Sequence, residues 1–407
     1  MIRKISLVTL INLMSQVVSI TGFALISRLY GPESLGGLFV FLSYSSIVSV
    51  ISSGYLEQSF FILKQQNLFK HVLILIFYLT TFISLISGLI FFFIGVSYIM
   101  FIICNVFSES ILKTISSLNI STNRILFISI SKFLFSPIIP LFYYFSFQTY
   151  GNDEFYLIFI SSILNILFAS IITVITLRKL NISMFVRDFF RFKILILLFR
   201  RFFKFTKFSM TGELMRTIAF KGPTIVLERF FGKDIAGFYG IANRILLLPT
   251  MVFMGSVTQI YIEKVSNSIK KQLGILTFTK SILKILSITS LIGFTLFIVF
   301  GKNLIVILIG DDFKQVYFMI ILLLPYAISL VTLSPLLSIF TVFEKQEKLF
   351  KLKFLVLISS IFSFTISVIF NNFNLGLIIF SVTTCIIYSS FSFISLKVIR
   401  SYDKKNS

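Results

Sequence analysis

Stretches of about twenty mostly apolar residues follow one another along this whole chain, and no other feature restricts its fold as strongly. A bilayer core about 30 Å thick takes roughly 20 apolar residues per spanning helix. Inside that core every backbone N–H and C=O must be satisfied within the element, which leaves helices for segments of this length. Hydropathy places spans near residues 5–27, 35–53, 71–94, 97–119, 125–147 and 154–176, and again near 209–230, 234–258, 279–300, 316–341, 351–370 and 375–396. The expectation is an all-α membrane protein of about twelve transmembrane helices, six plus six. Only 13% of the 407 residues are charged, where a soluble domain carries about 25%, so water cannot be the main solvent. The first stretch, about Ile5 to Ile26, is too long for a signal-peptide core and no small-residue cleavage pattern follows it, so it is expected to be retained as a span.

A net charge of +22 would suggest a nucleic-acid partner in a soluble protein. Here the bases sit between apolar segments, and topology explains them. With the N-terminus in the cytoplasm, 25 of the 37 Lys and Arg residues fall in inside loops and tails. Five fall outside (Arg28, Arg229, Lys233, Lys302 and Lys314) and seven within spans. That excess satisfies the positive-inside rule with both termini cytoplasmic. Cys104 and Cys385 lie in the middle of apolar segments and His71 is the only histidine, so neither a disulfide frame nor a metal site is implied.

The spacing predicts three regions: a six-helix bundle over 1–176, a basic cytoplasmic linker over 177–208 and a second six-helix bundle with a cytoplasmic tail over 209–407. The linker holds nine bases and a single acid, Asp188, and its stretch FVRDFFRFKILILLFRRFFKF mixes Phe and Leu with Arg and Lys as an interfacial helix on an anionic leaflet would. Both a topology anchor and a docking surface for a cytoplasmic or lipid partner fit it. RLYGPESLGGLF from Arg28 and RFFGKDIAGFYG from Arg229 form an internal repeat offset by 201 residues. Six helices per repeat would give the halves the same orientation about an axis along the membrane normal.

No stretch fits a phosphate-binding G-x-x-x-x-G-K-[ST] loop, a G-x-S-x-G elbow or an H-E-x-x-H pair, so direct ATP use and the common hydrolase chemistries lack their parts. What remains is charge within the membrane, where each ionisable group costs about 2.5 to 3.5 kcal/mol on insertion scales and calls for a cavity or a partner. Seven bases meet this description, Lys113, Lys132, Arg216, Lys221, Arg244, Lys280 and Lys284, against two acids, Glu109 and Glu213. Glu109 can pair with Lys113 and Glu213 with Arg216 at helical spacing. Lys132, Lys280 and Lys284 lie within two turns of a span end and can snorkel. Lys221 and Arg244 lie too deep for that, and Lys221 precedes Gly222 and Pro223, where a bend would be needed to bring it to the face of Arg216. The first span carries a polar stripe, Asn12, Ser15, Gln16 and Ser19, suited equally to helix packing and to sugar contact. Arg28 shares its motif position with Arg229, so it fits a helix-end cation as well as a phosphate contact at the outer mouth.

The pieces LISRLYGPESLGGLFVF, VLERFFGKDIAGFYGIANRI and LIGDDFKQVYFMIILLLPYAISLVTLSPLLSIF, in this order along nearly the whole chain, resemble the Wzx-type O-antigen flippases. These are polysaccharide-repeat transporters of the multidrug/oligosaccharidyl-lipid/polysaccharide (MOP) exporter superfamily. The resemblance implies a V-shaped transporter of two six-helix bundles, like the MATE exporters, in the bacterial inner membrane. It implies a non-enzymatic function, the translocation by alternating access of an undecaprenyl-pyrophosphate-linked oligosaccharide from the cytoplasmic to the periplasmic face. An O-antigen polymerase and a chain-length regulator would be its partners in lipopolysaccharide biosynthesis. The cationic residues Arg244, Lys221, Arg216, Arg28 and Lys113 would then meet the pyrophosphate. No cofactor is implied; proton or sodium coupling would fall to Glu213 or Glu109. The first span holds no acid, which speaks against a drug/cation antiporter. Export of drugs or of lipid II, and polymerase activity, are the alternatives; the outside loops are short for a polymerase.

Overall fold

The computed structural model describes residues 2–63, 66–96, 98–180, 182 and 186–406. Among these every element is helical, and ten segments are long and apolar enough to cross a membrane. The chain forms two compact units, Met1–Ile225 and Val226–Ser407.

The first unit begins with α1 (Ile2–Leu29), α2 (Pro32–Ser52), a 3-10 turn (Leu56–Phe61), α3 (Gln66–Ile94) and α4 (Ile99–Ser121). It continues with α5 (Ile125–Phe135), α6 (Ile138–Tyr150), α7 (Glu154–Lys179), α8 (Val186–Phe189) and α9 (Phe192–Lys204), then a π-helical turn (Phe205–Met210) that leads into α10 (Thr211–Phe231). Helix α4 is its hub, packed by α2, α3 and α7, while α1 packs on α5 and α6. The fifth expected span is interrupted: α5 stops where Pro137 removes the N–H that would reach Phe133, and the Ser136 hydroxyl donates to that freed carbonyl instead (2.9 Å). Gly22 of α1 faces Pro140 of α6 so closely that a Cβ there would stand 2.5 Å from the proline ring. A core of Leu56, Phe60, Val72, Ile76, Ile115 and Leu118 takes in Leu195, Leu198 and Phe202 of α9, so one face of the basic linker helix is an integral part of this unit.

The second unit comprises α11 (Lys233–Lys270), α12 (Leu276–Ile309), α13 (Lys314–Leu337), α14 (Ile339–Val342), α15 (Gln346–Ile369) and α16 (Phe373–Asn406). Helix α13 packs on α11, α12 and α16 through Val316, Met319, Ile320, Leu323 and Ala327, all fully buried. Asp403 near the end of α16 accepts from the backbone N–H groups of Ile275 and Leu276 (both 2.9 Å), and so caps the free donors at the start of α12.

Helices α10 and α11, at the positions of the seventh and eighth expected spans, are not among the ten. Helix α10 carries Glu213, Arg216, Lys221, Glu228 and Arg229 within its 21 residues, and in α11 the side chains of 248–256 lie outside the described set. The two copies of the repeat build the same corner. Arg28 and Arg229 occupy the last turns of α1 and α10, Gly31 and Gly232 stand before α2 and α11, and the first helical bonds are Leu35 to Gly31 (3.2 Å) and Ala236 to Gly232 (3.3 Å). Leu35 and Ala236, 201 positions apart, are both fully buried.

Candidate functional site

A cavity of about 560 Å³ opens inside the first unit, and polar and charged groups from five of its elements face it. The end of α2 supplies Ser46, Ser49 and Ser53, and the turn after it Tyr55, Glu57 and Gln58. Helix α4 contributes Glu109, Lys113, Ser116 and Ser117, α5 contributes Ser131 and Lys132, and α10 contributes Glu213, Arg216, Thr217 and Lys221. Phe168 and Ile172 of α7 form part of the apolar wall.

Helical spacing explains most of this convergence. Glu109, Lys113 and Ser116 follow one another at four and three residues on one face of α4, and on α10 Arg216 and Thr217 stand three and four residues after Glu213. Lys113 Nζ donates to Ser49 Oγ (2.7 Å) and stands 4.0 Å from Glu109 Oε2, while Ser49 Oγ lies 2.9 Å from the same carboxylate oxygen. A serine of α2 thus bridges the ion pair of α4. Behind it, Asn165 of α7 donates to Asn105 (2.7 Å), one turn before Glu109. Arg216 pairs with Glu213 through two guanidinium nitrogens. Lys221 stands about 140° from Arg216 on a regular helix, and α10 is continuous through Gly222 and Pro223, yet both side chains line the cavity.

The turn after α2 brings in the group that sequence reasoning missed. Gly54 (φ +60°) and Tyr55 (φ +59°) are both left-handed, reversing the chain so that Leu56, Ser59 and Phe60 pack inward. The Gly54 carbonyl is held by the Thr206 hydroxyl (2.8 Å). Glu57, swung inward by this turn, is 4% exposed, and its Oε2 has no hydrogen-bond partner. Burial pushes its carboxyl above the usual range, against the opposing pull of its own backbone N–H, the Ser53 hydroxyl and Lys113. Burial, aided by Glu213 and Glu57, likewise raises the Tyr55 phenol to about 12.

The structure therefore brings together Lys113, Arg216, Lys221, Glu109 and Glu213, and adds Glu57 and Lys132. Lys132, which the sequence treats as a snorkelling residue, points into the same cavity. Arg28 stands at the other end of α2, about 25 Å away along that helix. Arg244 belongs to α11 in the second unit. Among the described residues no group of three or more His, Cys, Asp or Glu side chains could hold a metal ion, and Cys104 and Cys385 are free thiols.

Four bases and three acids in one cavity leave a net positive charge, greater by one when Glu57 is protonated. Such a site can take an anion while the acids fix the positions of the bases.

Residues 155–318 match a family described as polysaccharide biosynthesis protein. No curated protein matches the sequence. Among solved structures the chain is similar to the lipid II flippase MurJ in an inward closed conformation, with a TM-score of 0.74, 14% identity, and 98% of this chain and 90% of that one covered. It is also similar to a multidrug resistance MATE family transporter of the MOP superfamily, inward-facing (TM-score 0.66, 14% identity, covering 98% and 96%). A third similar structure is a point mutant of the Vibrio cholerae MATE transporter VcmN (TM-score 0.58, 14% identity, covering 98% and 97%). The chain has the fold of these MOP-superfamily transporters, and the resemblance read from its sequence agrees with both comparisons.

Proposed function

We propose that this chain, a multi-pass membrane protein with the MOP transporter fold, is a Wzx-type flippase. It carries an undecaprenyl-pyrophosphate-linked O-antigen or related polysaccharide repeat from the cytoplasmic to the periplasmic face of a bacterial inner membrane. The observation that carries this reading is the cavity that gathers Lys113, Lys132, Arg216 and Lys221 against Glu57, Glu109 and Glu213. A pyrophosphate diester bears about two negative charges, and taking them out of water without partners is prohibitive. The bases of the cavity outnumber its acids, so its charge is opposite in sign to that of the diester. The serines at 46, 49, 53, 116, 117 and 131 add hydroxyls that can donate to phosphate or sugar oxygens. Arg244, on α11, is proposed as a further phosphate contact from the second unit. Transport by alternating access needs no nucleotide, and coupling to a proton or sodium gradient would act through the carboxylates.

The test is surface polysaccharide in a strain lacking the gene, complemented with each variant, alongside membrane abundance by immunoblot. Lys221→Ala should lower export about 10- to 100-fold, the worth of one charged hydrogen bond. Lys221→Arg should retain much of it, and Lys221→Glu should abolish it. Arg244→Lys should keep part of the activity because the charge survives while the bidentate fork is lost. Full export by the Lys221→Ala, Arg244→Ala double variant at normal abundance would overturn the phosphate-binding role of these two residues.

A further inference from the structure

Helix α9 buries one face and exposes an apolar sector and a basic one, the latter with the exposed Leu197 between Arg200 and Arg201. At about 100° per residue, Leu195, Leu198 and Phe202 share one face, and they are 4 to 5% exposed in the core of the first unit. Roughly a quarter turn away stand Phe192, Ile196 and Phe203, 54%, 53% and 47% exposed. Lys193 and Arg200 follow on the next sector and Arg201 beyond it, all three exposed and none in an ion pair among the described residues. The segment's single acid, Asp188, is buried and held by Lys70 (3.0 Å) and Arg191 (3.7 Å), so it neutralises none of the three. The helix also starts beside a candidate membrane span: the ring of Phe192 lies 6.2 Å from that of Tyr78 on α3, and Phe77 of α3, itself exposed, lies 6.3 Å from Phe189.

We propose that α9 is a binding site for anionic phospholipid. The exposed apolar face is continuous with the flank of α3, so it enters the acyl region of the leaflet, which places Lys193, Arg200 and Arg201 at the depth of the headgroup phosphates. A water-soluble protein partner would have no reason to sit on a face that continues a membrane span, and the three bases select negative over zwitterionic headgroups. This inference is independent of what the cavity carries.

The sequence contains no tryptophan, so Phe192→Trp or Phe203→Trp in the full chain gives a single fluorophore on the exposed face. Each variant is reconstituted in phosphatidylcholine vesicles with about 20% phosphatidylglycerol, carrying bromine on the chains of one lipid or the other. At equal bromine content, brominated phosphatidylglycerol should quench at least about twofold more than brominated phosphatidylcholine, a modest fraction of what three bases near an anionic surface can supply. The preference should vanish in the Lys193→Gln, Arg200→Gln, Arg201→Gln background and in about 0.5 M salt, which screens the charges without altering the chain. Equal quenching by the two lipids, or a preference that survives both treatments, would overturn headgroup selection. Absence of quenching by either lipid would mean that water or a protein covers the face, and would overturn the site altogether.

Discussion

Burial leaves one carboxylate oxygen of Glu57 without a hydrogen-bond partner, and the charged form of this side chain is therefore the disfavoured one. A carboxyl whose folded-state value is raised holds its proton more tightly in the folded protein than in the unfolded chain. Its contribution to stability is complete below the unfolded value of about 4.5 and is lost as the pH climbs through the raised folded value. Glu57→Gln keeps the shape of the neutral acid and removes the titration. In detergent the variant should melt above the parent at pH 8, and the two should converge by about pH 4. Parallel melting curves at every pH would mean that Glu57 titrates normally. The pairs Glu109 with Lys113 and Glu213 with Arg216 were legible in the sequence because helical spacing alone sets them three or four residues apart. Glu57 was not, since the hydropathy boundary closes the second span at residue 53 and acids beyond a span are taken as solvated. Its apolar neighbours Leu56, Phe60 and Phe61 were the available signal. Lys132 is exposed, as a residue near a span end can be, and it lines the cavity as well, which distance from a span end does not reveal.

Elements repeat the same lesson with backbone in place of charge. Among the prolines within helical stretches, Pro137 separates two helices, whereas α10 and α13 run on through Pro223, Pro325 and Pro335. Pro137 and Pro140 stand within one turn and remove two of its donors, while an isolated proline is tolerated by a helix packed on both sides. The corner repeat was legible as a pattern of residue types, but its two glycines do different work. Gly232 sits at φ +98°, a conformation that a side chain resists, whereas Gly31 sits at φ −66° in ordinary extended space. Gly232→Ala should cost about 1 to 2 kcal/mol, and Gly31→Ala should cost less, roughly 0.5 to 1 kcal/mol, the difference between glycine and alanine at an N-cap without backbone strain. Thermal melting of the purified variants checks this; equal losses at both glycines would show that packing at the corner, and not φ, sets the requirement. For α9 the composition already announced an interfacial helix. Which residues face the protein could not be read, because Leu195 and Ile196 look alike until α3 is packed against one of them.

At the scale of the whole molecule, the charge asymmetry and the helix order together define a topology that reporters can test. Loops near Asp153, between α6 and α7, and near Asp312, between α12 and α13, fall on the periplasmic side if both termini are cytoplasmic. Fusions active only in the periplasm should work at those two sites and fail near Arg191, Lys271 and Lys405. The informative region is α10 and α11: the charges of α10 keep its composition from marking it as a span, and the middle of α11 lies outside the described residues. If both cross, Lys271 returns to the side of Arg191, and a reporter inserted at Gly232 between them is periplasmic. If neither crosses, Lys271 is still cytoplasmic but the reporter at Gly232 is silent, and if only one crosses, Lys271 itself becomes periplasmic. Insertion of α10 is costly for an isolated helix because Glu213, Arg216 and Lys221 would each meet lipid. In the folded unit those three side chains line the cavity instead, so the helix can cross once its neighbours have formed the wall. The expected result is activity at Gly232 in the otherwise intact chain and its loss when residues 2–121 are deleted, since α2 and α4 then no longer shelter the charges. Activity at Gly232 in both contexts would show that α10 inserts unaided, and would remove the cavity as the reason its charges are tolerated in the membrane.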